Sequence, residues 1–144
     1  MHIVITGGAG FVGARLARTL LARQQLSLAG AAPAPIDTIT LVDRAPPPND
    51  LAGDPRVSAV VGDLNELLAT APERAVPLNT SLVFHLAAAV SGECEADFDL
   101  GMHSNFAATN ALLETCRKLG TAQRWCSRVR SPCSATRPSN PCRR

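Results

Sequence analysis

The sequence of 144 residues contains no tyrosine, and aromatic residues make up only 3% of it. Within these residues, the absence of tyrosine excludes any mechanism in which a tyrosine hydroxyl transfers the catalytic proton. Apolar residues nowhere form a run of about eighteen, the length that a membrane-spanning helix requires. The first residues, MHIVITGG, lack the basic start and long apolar stretch of a secretory signal. We therefore expect a cytoplasmic chain without a membrane span.

Cysteine is present, but not in the spacing of a metal site. No pair shows the C-x2-C arrangement that holds a tetrahedral metal ion, and the odd number of cysteines argues against a disulfide framework. Cys116 falls in a helical pattern, where we expect a small core residue. We predict no metal site. The five cysteines are at positions 94, 116, 126, 133 and 142.

Strand and helix patterns alternate along the chain as far as residue 119. Short β-branched runs predict strands, and apolar residues at helical spacing predict helices between them. This alternation indicates an α/β fold in which helices cover both faces of a parallel sheet, and the length allows one core. The predicted strands are 2–6, 38–43, 57–61 and 81–90, the last with its exit loop. The predicted helices are 11–24, 65–75 with a stop near Pro72, and about 97–119. The segments 28–37 and 45–50 are predicted loops.

The segment TGGAGFVG lies between the first strand and the first helix. Gly7 permits a tight turn, Gly10 lets the backbone approach a pyrophosphate, and Gly13 lets the helix pack closely on the strand. The N–H groups and positive dipole at the start of a helix favour phosphate. A glycine-rich turn that binds nothing is the alternative. Because strand, turn, helix and second strand follow in order, we predict a dinucleotide-binding βαβ unit.

Two aspartates follow predicted strands. Asp43 ends the second strand, where a carboxylate can accept both ribose hydroxyls of an adenosine and would repel a 2′-phosphate. NAD is therefore favoured over NADP, although Arg44 leaves room for NADP. The alternative is an aspartate on the surface at a strand end. Asp63 follows the third strand and could meet the adenine edge, or it could be an ordinary turn residue.

The motifs TGGAGFVG, LVDR, GDL and HLAA occur in this order and resemble the N-terminal half of an extended short-chain dehydrogenase/reductase, in the NAD-dependent epimerase/dehydratase family. The resemblance covers about residues 1–122. It implies an incomplete Rossmann-type doubly wound parallel sheet of about four strands, with an irregular tail over 123–144. Within the family, residues 85–105 are similar to D-erythronate dehydrogenase-like and nucleotide-sugar epimerase-like members.

The resemblance also implies roles for individual residues. The glycine turn would hold the pyrophosphate, Asp43 would meet the adenosine ribose, and Asn105 would support the site from the long helix. His85 would be a structural residue at the sheet end rather than a catalytic one. Asp63 and Leu64 would flank adenine, and Leu86, Ala87 and Ala88 would line the nicotinamide ribose. Ser91 and Gly92 would contact substrate. The other implied cofactor residues are Thr6, Gly7, Gly8, Ala9, Gly10, Phe11, Val12, Gly13, Asp43, Arg44 and Asn105.

The catalytic group of the family has no counterpart in these residues. The family uses a Ser or Thr after the fifth strand, and a Tyr and a Lys four residues apart on the next helix, with the Tyr as general base. This chain has no Tyr, and its only lysine, Lys118, precedes the expected position. We therefore assign no catalytic residue, and expect an NAD-binding portion of a sugar or sugar-acid dehydrogenase or epimerase. Family members are homodimers that pair the long helix with the next one, so dimer formation by this chain is doubtful.

The segment after Gln123 differs from the rest in composition. Up to Gln123 there are eight Lys and Arg and twelve Asp and Glu, a net charge of −4; from Arg124 there are six Arg and no acid, a net charge of +6. Such a tail could bind a partner, which would suit a non-catalytic NAD-binding or scaffold protein. We favour a frameshift and expect no nucleic-acid partner. If Arg124 has a CGN codon, reading from its third base gives an apolar, strand-like start, and permitted codons can continue as VVFASSVAVFGD, which the family would place here.

Overall fold

The computed structural model describes residues 1–28, 30–119 and 124–127. Within these ranges the strands are β1 His2–Thr6, β2 Gln25–Leu26, β3 Ala34–Pro35, β4 Thr38–Asp43, β5 Val57–Val61, β6 Thr80–His85 and β7 Arg124–Ser127. The helices are α1 Phe11–Arg23, α2 Asn49–Ala52, α3 Leu64–Thr70, α4 Pro72–Ala75, α5 Ser91–Ala96, α6 Phe98–Gly101 and α7 Ala108–Leu119, with a π-helix over Met102–Ala107 between α6 and α7.

The main sheet is parallel, in the order β5-β4-β1-β6-β7. All four predicted strands are present, and the α/β Rossmann-type architecture is confirmed. The chain runs outward from β1 to β4 and β5, then returns to place β6 on the other side of β1. This reversal of strand order creates a crevice at the carboxyl ends of the strands, where open α/β sheets bind ligands.

A fifth strand, β7, pairs with β6 inside the segment that we expected to be irregular. Arg124 lies opposite Leu82 and Ser127 opposite His85. The sequence RWCS has no apolar alternation, so its position in the sheet could not be predicted from periodicity. The remainder of the predicted tail, 123 and 128–144, lies outside the described residues, and so does most of the segment 124–136 in which we expect the frameshift.

Short regular elements lie in or beside the two segments predicted as loops. Ala34–Pro35, inside 28–37, pairs antiparallel with Gln25–Leu26, which precedes that segment. Asn49–Ala52, which begins inside 45–50, forms a single helical turn. Each is anchored by one apolar side chain, because Ile36 is 4% exposed and Leu51 is 1% exposed. The burial of these two side chains depends on tertiary contacts, so it could not be predicted from segments rich in Pro and Ala.

The core lies on both faces of the sheet. Alternate residues of β1 point to opposite sides, so Ile3 and Ile5 pack with Leu20 of α1, whereas Val4 packs with Leu112 of α7. All three β1 side chains are fully buried. This two-sided burial explains the continuous apolar run of the strand.

The predicted long helix is confirmed as one continuous helix, because Gly101, Met102 and Ala108 all have helical backbone angles where α6, the π-helix and α7 meet. Its buried face is narrower than the sequence pattern indicates. Leu112 is buried, whereas Phe106 is 64% exposed. Cys116, expected in the core, is only partly buried at its edge, and burial raises the pKa of its thiol.

Within the described ranges, no helix combines the length and the apolar character that crossing a bilayer requires.

Candidate functional site

A cavity of about 260 Å³ opens at the carboxyl ends of β1, β4, β5 and β6. Each strand ends in residues that line it, so the site is assembled from loops that the sheet holds in place. The lining residues are Gly7, Gly10, Val42, Asp43, Arg44, Gly62, Asp63, Leu64, Asn65, Leu86, Ala87, Ala88, Ala89, Ser104 and Ala108.

The glycine turn is tightly packed against the rest of the site. Gly7 has a φ of +71°, and a Cβ there would lie 2.7 Å from the backbone nitrogen of Ala87. A Cβ on Gly13 would lie 2.1 Å from the carbonyl oxygen of Gly7. Neither position can accept a side chain without displacing backbone. The turn therefore brings bare backbone close to the cavity, as the sequence predicts.

The start of α1 offers backbone N–H groups to this cavity. Its N-cap, Gly10, provides no side-chain hydrogen bond, and the first turn contains no acidic residue. The N–H groups of the first helical turn have no helical carbonyl to pair with, and the helix dipole adds partial positive charge. Phe11 and Val12, the first residues of α1, are 84% and 43% exposed and do not themselves line the cavity. The local chemistry suits an anion.

Asp43 joins β4 to the glycine turn. The N–H of Ala9 donates to Asp43 Oδ2 at 2.9 Å, and the N–H of Ala45 donates to Oδ1 at 3.3 Å. A carboxylate has about four acceptor positions, so capacity remains for hydroxyl donors from the cavity. Arg44, beside it, is exposed and lines the same cavity.

Asp63 caps α3 as well as lining the cavity. Its Oδ1 accepts hydrogen bonds from the N–H groups of Asn65 at 2.9 Å and Glu66 at 3.4 Å, which is the ordinary turn role that we held open. His103 Nε2 lies 3.5 Å from the same oxygen, and the Asn65 amide donates to the His103 carbonyl at 3.1 Å. These contacts join α3 to the π-helix and close that end of the cavity.

The loop after β6 lies between the glycine turn and the long helix. The Asn105 side chain accepts from Ala89 N–H at 2.8 Å and donates to the Ala89 carbonyl at 3.2 Å. His85, buried at the end of β6, is bonded to Thr6 and Thr109. Burial lowers the pKa of its imidazole, which favours the neutral form. The structural role expected for His85 agrees with these contacts.

The predicted site residues divide into those that line the cavity, those that support its wall and those that do neither. Thr6 and Gly8 are buried beneath the turn, Gly13 packs under it, and Ala9 bonds to Asp43. Phe11 and Val12, at the start of α1, do not line the cavity, and neither does Gly92, which with Ser91 begins α5. The predicted residues that line the cavity are Gly7, Gly10, Asp43, Arg44, Asp63, Leu64, Leu86, Ala87 and Ala88.

Six lining residues were not predicted: Val42, Gly62, Asn65, Ala89, Ser104 and Ala108. Val42, Gly62, Asn65, Ala89 and Ser104 are direct neighbours of predicted residues, so the motif boundaries could have been extended to them. Ala108 is four residues after Ser104 on the long helix, and only the packing of that helix against the sheet reveals its position.

Comparison with known proteins gives consistent matches. The sequence matches the NAD-dependent epimerase/dehydratase family over residues 3–128. It is 51% identical over 120 residues to D-erythronate dehydrogenase of Cupriavidus necator, covering 83% of this chain and 36% of that protein. The chain thus spans about a third of the length of the curated relatives that it matches.

Solved structures agree. A nucleoside-diphosphate-sugar epimerase from Agrobacterium tumefaciens is 35% identical, with a TM-score of 0.73 over 88% of this chain and 36% of that one. UDP-glucose 4-epimerase of Thermus thermophilus, solved as a complex with NAD, is 28% identical, with a TM-score of 0.59 over 83% of this chain and 35% of that one. The sequence motifs, the parallel sheet and these matches agree: the chain belongs to the NAD-dependent epimerase/dehydratase family.

Proposed function

We propose that this chain is the NAD-binding portion of a dehydrogenase or epimerase that acts on a sugar or sugar acid. The observation that carries the proposal is the position of the α1 N-terminus. This end of the helix faces a cavity at the point where the strand order reverses. Among the described residues, no side chain caps it. Backbone N–H groups and a helix dipole at such a point suit a pyrophosphate.

The groups around the cavity fit the parts of a dinucleotide in order. Phosphate would lie at Gly10 and the first turn of α1, and the adenosine ribose would lie at Asp43, whose carboxylate can accept its hydroxyls. Adenine would lie at Asp63 and Leu64. Because a 2′-phosphate would face the Asp43 carboxylate, NAD fits better than NADP, although Arg44 offsets part of that repulsion.

The nicotinamide end would lie against the loop at 86–88. Small side chains at Ala87 and Ala88 leave backbone exposed there, and Ser91 and Gly92 follow where we infer substrate contact.

Bound NAD supplies a hydride acceptor at its nicotinamide ring. The residues of this chain would bind and orient it, but the sequence has no tyrosine to take the hydroxyl proton. We therefore propose that these 144 residues bind NAD weakly and do not turn over substrate. Among possible substrates, the identity to D-erythronate dehydrogenase favours a small sugar acid over a nucleotide sugar.

Two measurements on the purified chain test this proposal. Equilibrium dialysis should show saturable binding of NAD and weaker binding of NADP. Incubation with NAD and D-erythronate should produce no NADH absorbance. A failure to bind NAD would contradict the proposed function, and NADH formation would contradict the proposed catalytic incompleteness.

A further inference from the structure

His85 links strand β1 to the long helix. Its Nδ1 lies 2.7 Å from Thr6 Oγ1, and its Nε2 lies 2.9 Å from Thr109 Oγ1. The imidazole is 5% exposed and Thr6 is fully buried. Neither residue lines the cavity, yet each touches an element that does.

The direction of donation along this chain of hydrogen bonds follows from its two ends. The Thr109 hydroxyl donates its hydrogen to the Asn105 carbonyl at 2.6 Å, so its oxygen must accept from His85 Nε2–H. The neutral imidazole then has a bare Nδ1, which accepts from the Thr6 hydroxyl. Thr6 Oγ1 in turn accepts from Ala87 N–H at 3.3 Å. Every donor thus points from the loop toward the long helix, which assigns the Nε2–H tautomer to His85.

The same network holds the loop at two places. Thr6 accepts Leu86 N–H at its carbonyl, 3.0 Å away, and Ala87 N–H at its hydroxyl. Asn105, whose carbonyl ends the chain from His85, holds Ala89 with its side chain. A shift of the long helix would therefore move the loop at Ala89 and disturb the bonds that fix it at Ala87.

We propose that His85, as the neutral Nε2–H tautomer, is a positioning residue that sets the loop at 86–89 against the glycine turn, and so sets the affinity for the nicotinamide side of NAD. This inference rests on the proposed function. Its physical basis is the close approach of the two backbones, since a Cβ on Gly7 would lie 2.7 Å from both Ala87 N and the Leu86 carbonyl carbon. A displacement of the loop therefore changes the width of the cavity between them.

Thr109→Val tests the proposal at a residue of the network that does not itself line the cavity. The variant keeps the shape but removes the acceptor of His85 Nε2–H, and we expect NAD to bind about fivefold more weakly, because a buried donor loses its partner. AMP, which has only the adenosine half, should bind unchanged at the Asp43 end. Thr109→Ser keeps the hydroxyl and should restore NAD binding. Thr115→Val, a buried threonine on the same helix and outside this network, is the matched control.

A purely structural role would lower thermal stability in Thr109→Val and leave the ratio of NAD to AMP affinity unchanged, which would overturn the proposal.

Imidazole ¹⁵N NMR of the parent chain is an independent test that needs neither NAD nor a variant. We expect His85 to be neutral and protonated at Nε2 at pH 7.5; an Nδ1–H tautomer or a charged ring would overturn the assignment. If the parent chain binds no NAD, the proposed function fails, and the NMR result still decides the network.

Discussion

The Asp43 carboxylate accepts a hydrogen bond from the backbone N–H of Ala9, with 2.9 Å between Oδ2 and the nitrogen. One side chain thus connects the end of β4 to the turn that would hold the pyrophosphate. Asp43 therefore has two roles under the proposed function: it fixes the turn, and it offers acceptors to the adenosine ribose.

Substitution of Asp43 should separate these roles. Asp43→Asn keeps an acceptor for Ala9 N–H but loses the charge, so we expect NAD affinity to fall roughly tenfold, the scale of a charge-assisted hydrogen bond. NADP affinity should fall less, because the repulsion of the 2′-phosphate disappears. Competition binding with both cofactors measures the ratio. Asp99→Asn, an exposed carboxylate outside the cavity lining, is the control; an unchanged NAD to NADP ratio in Asp43→Asn would argue against ribose contact.

The glycine turn should tolerate no side chain at position 13. Gly13→Ala would place a Cβ 2.1 Å from the Gly7 carbonyl oxygen, so the turn must open, and we expect the free energy of unfolding to fall by about 1–3 kcal/mol. Gly53→Ala meets its nearest atom at 3.4 Å and should be nearly neutral. Urea denaturation of the two variants compares them. Equal stability would mean that the close packing of α1 on the turn is absent in solution.

Stability should decrease in mild acid. Burial lowers the pKa of both His2 and His85 from about 6.5, so below that pH the unfolded chain binds more protons than the folded one. The free energy of unfolding should be constant above pH 7 with respect to these groups, and should fall as the pH drops through 6.5. The carboxylates of Asp50, Asp54 and Glu114, whose pKa values are lowered by Arg partners, act at lower pH. Denaturation at pH 5.5 and 7.5 tests this, and His2→Gln with His85→Gln should flatten the difference.

The long helix carries an exposed apolar stripe that should promote self-association. Phe98 is 73% exposed and Phe106 is 64% exposed, with Met102 and Leu113 on the same helix. Phe106→Ser should shift sedimentation toward the monomer at high concentration, because exposed apolar area drives association. Leu78→Ser, at an exposed apolar residue outside this helix, should have a smaller effect. A parent chain that sediments as a monomer at all concentrations would contradict the expectation.

The sequence predicted the parts of the molecule that local chemistry determines. The central strands β1, β4 and β6 are short apolar runs that are largely buried, and the glycine turn is read directly from the steric needs of Gly7 and Gly13. Asp43 and Asp63 were found because each comes at the end of a predicted strand. These features require no knowledge of distant contacts.

The remaining features depend on tertiary packing. The π-helix begins at Met102 without a glycine or proline inside it. It brings Ser104 to the cavity and Asn105 to the backbone of Ala89. Phe106 matches the apolar period of the helix but faces solvent, because the sheet covers only the face of Ala108 and Leu112. The link from Thr6 through His85 to Thr109 joins residues 79 and 24 positions apart, which no local pattern encodes.

Isothermal titration of the chain with NAD tests the central claim most directly. The account predicts saturable binding of one NAD per chain, retained in Gly53→Ala and lost or strongly weakened in Gly13→Ala under conditions where that variant remains folded. Absence of saturable binding in the parent chain, or equal binding by Gly13→Ala, would contradict the claim that the glycine turn holds the cofactor.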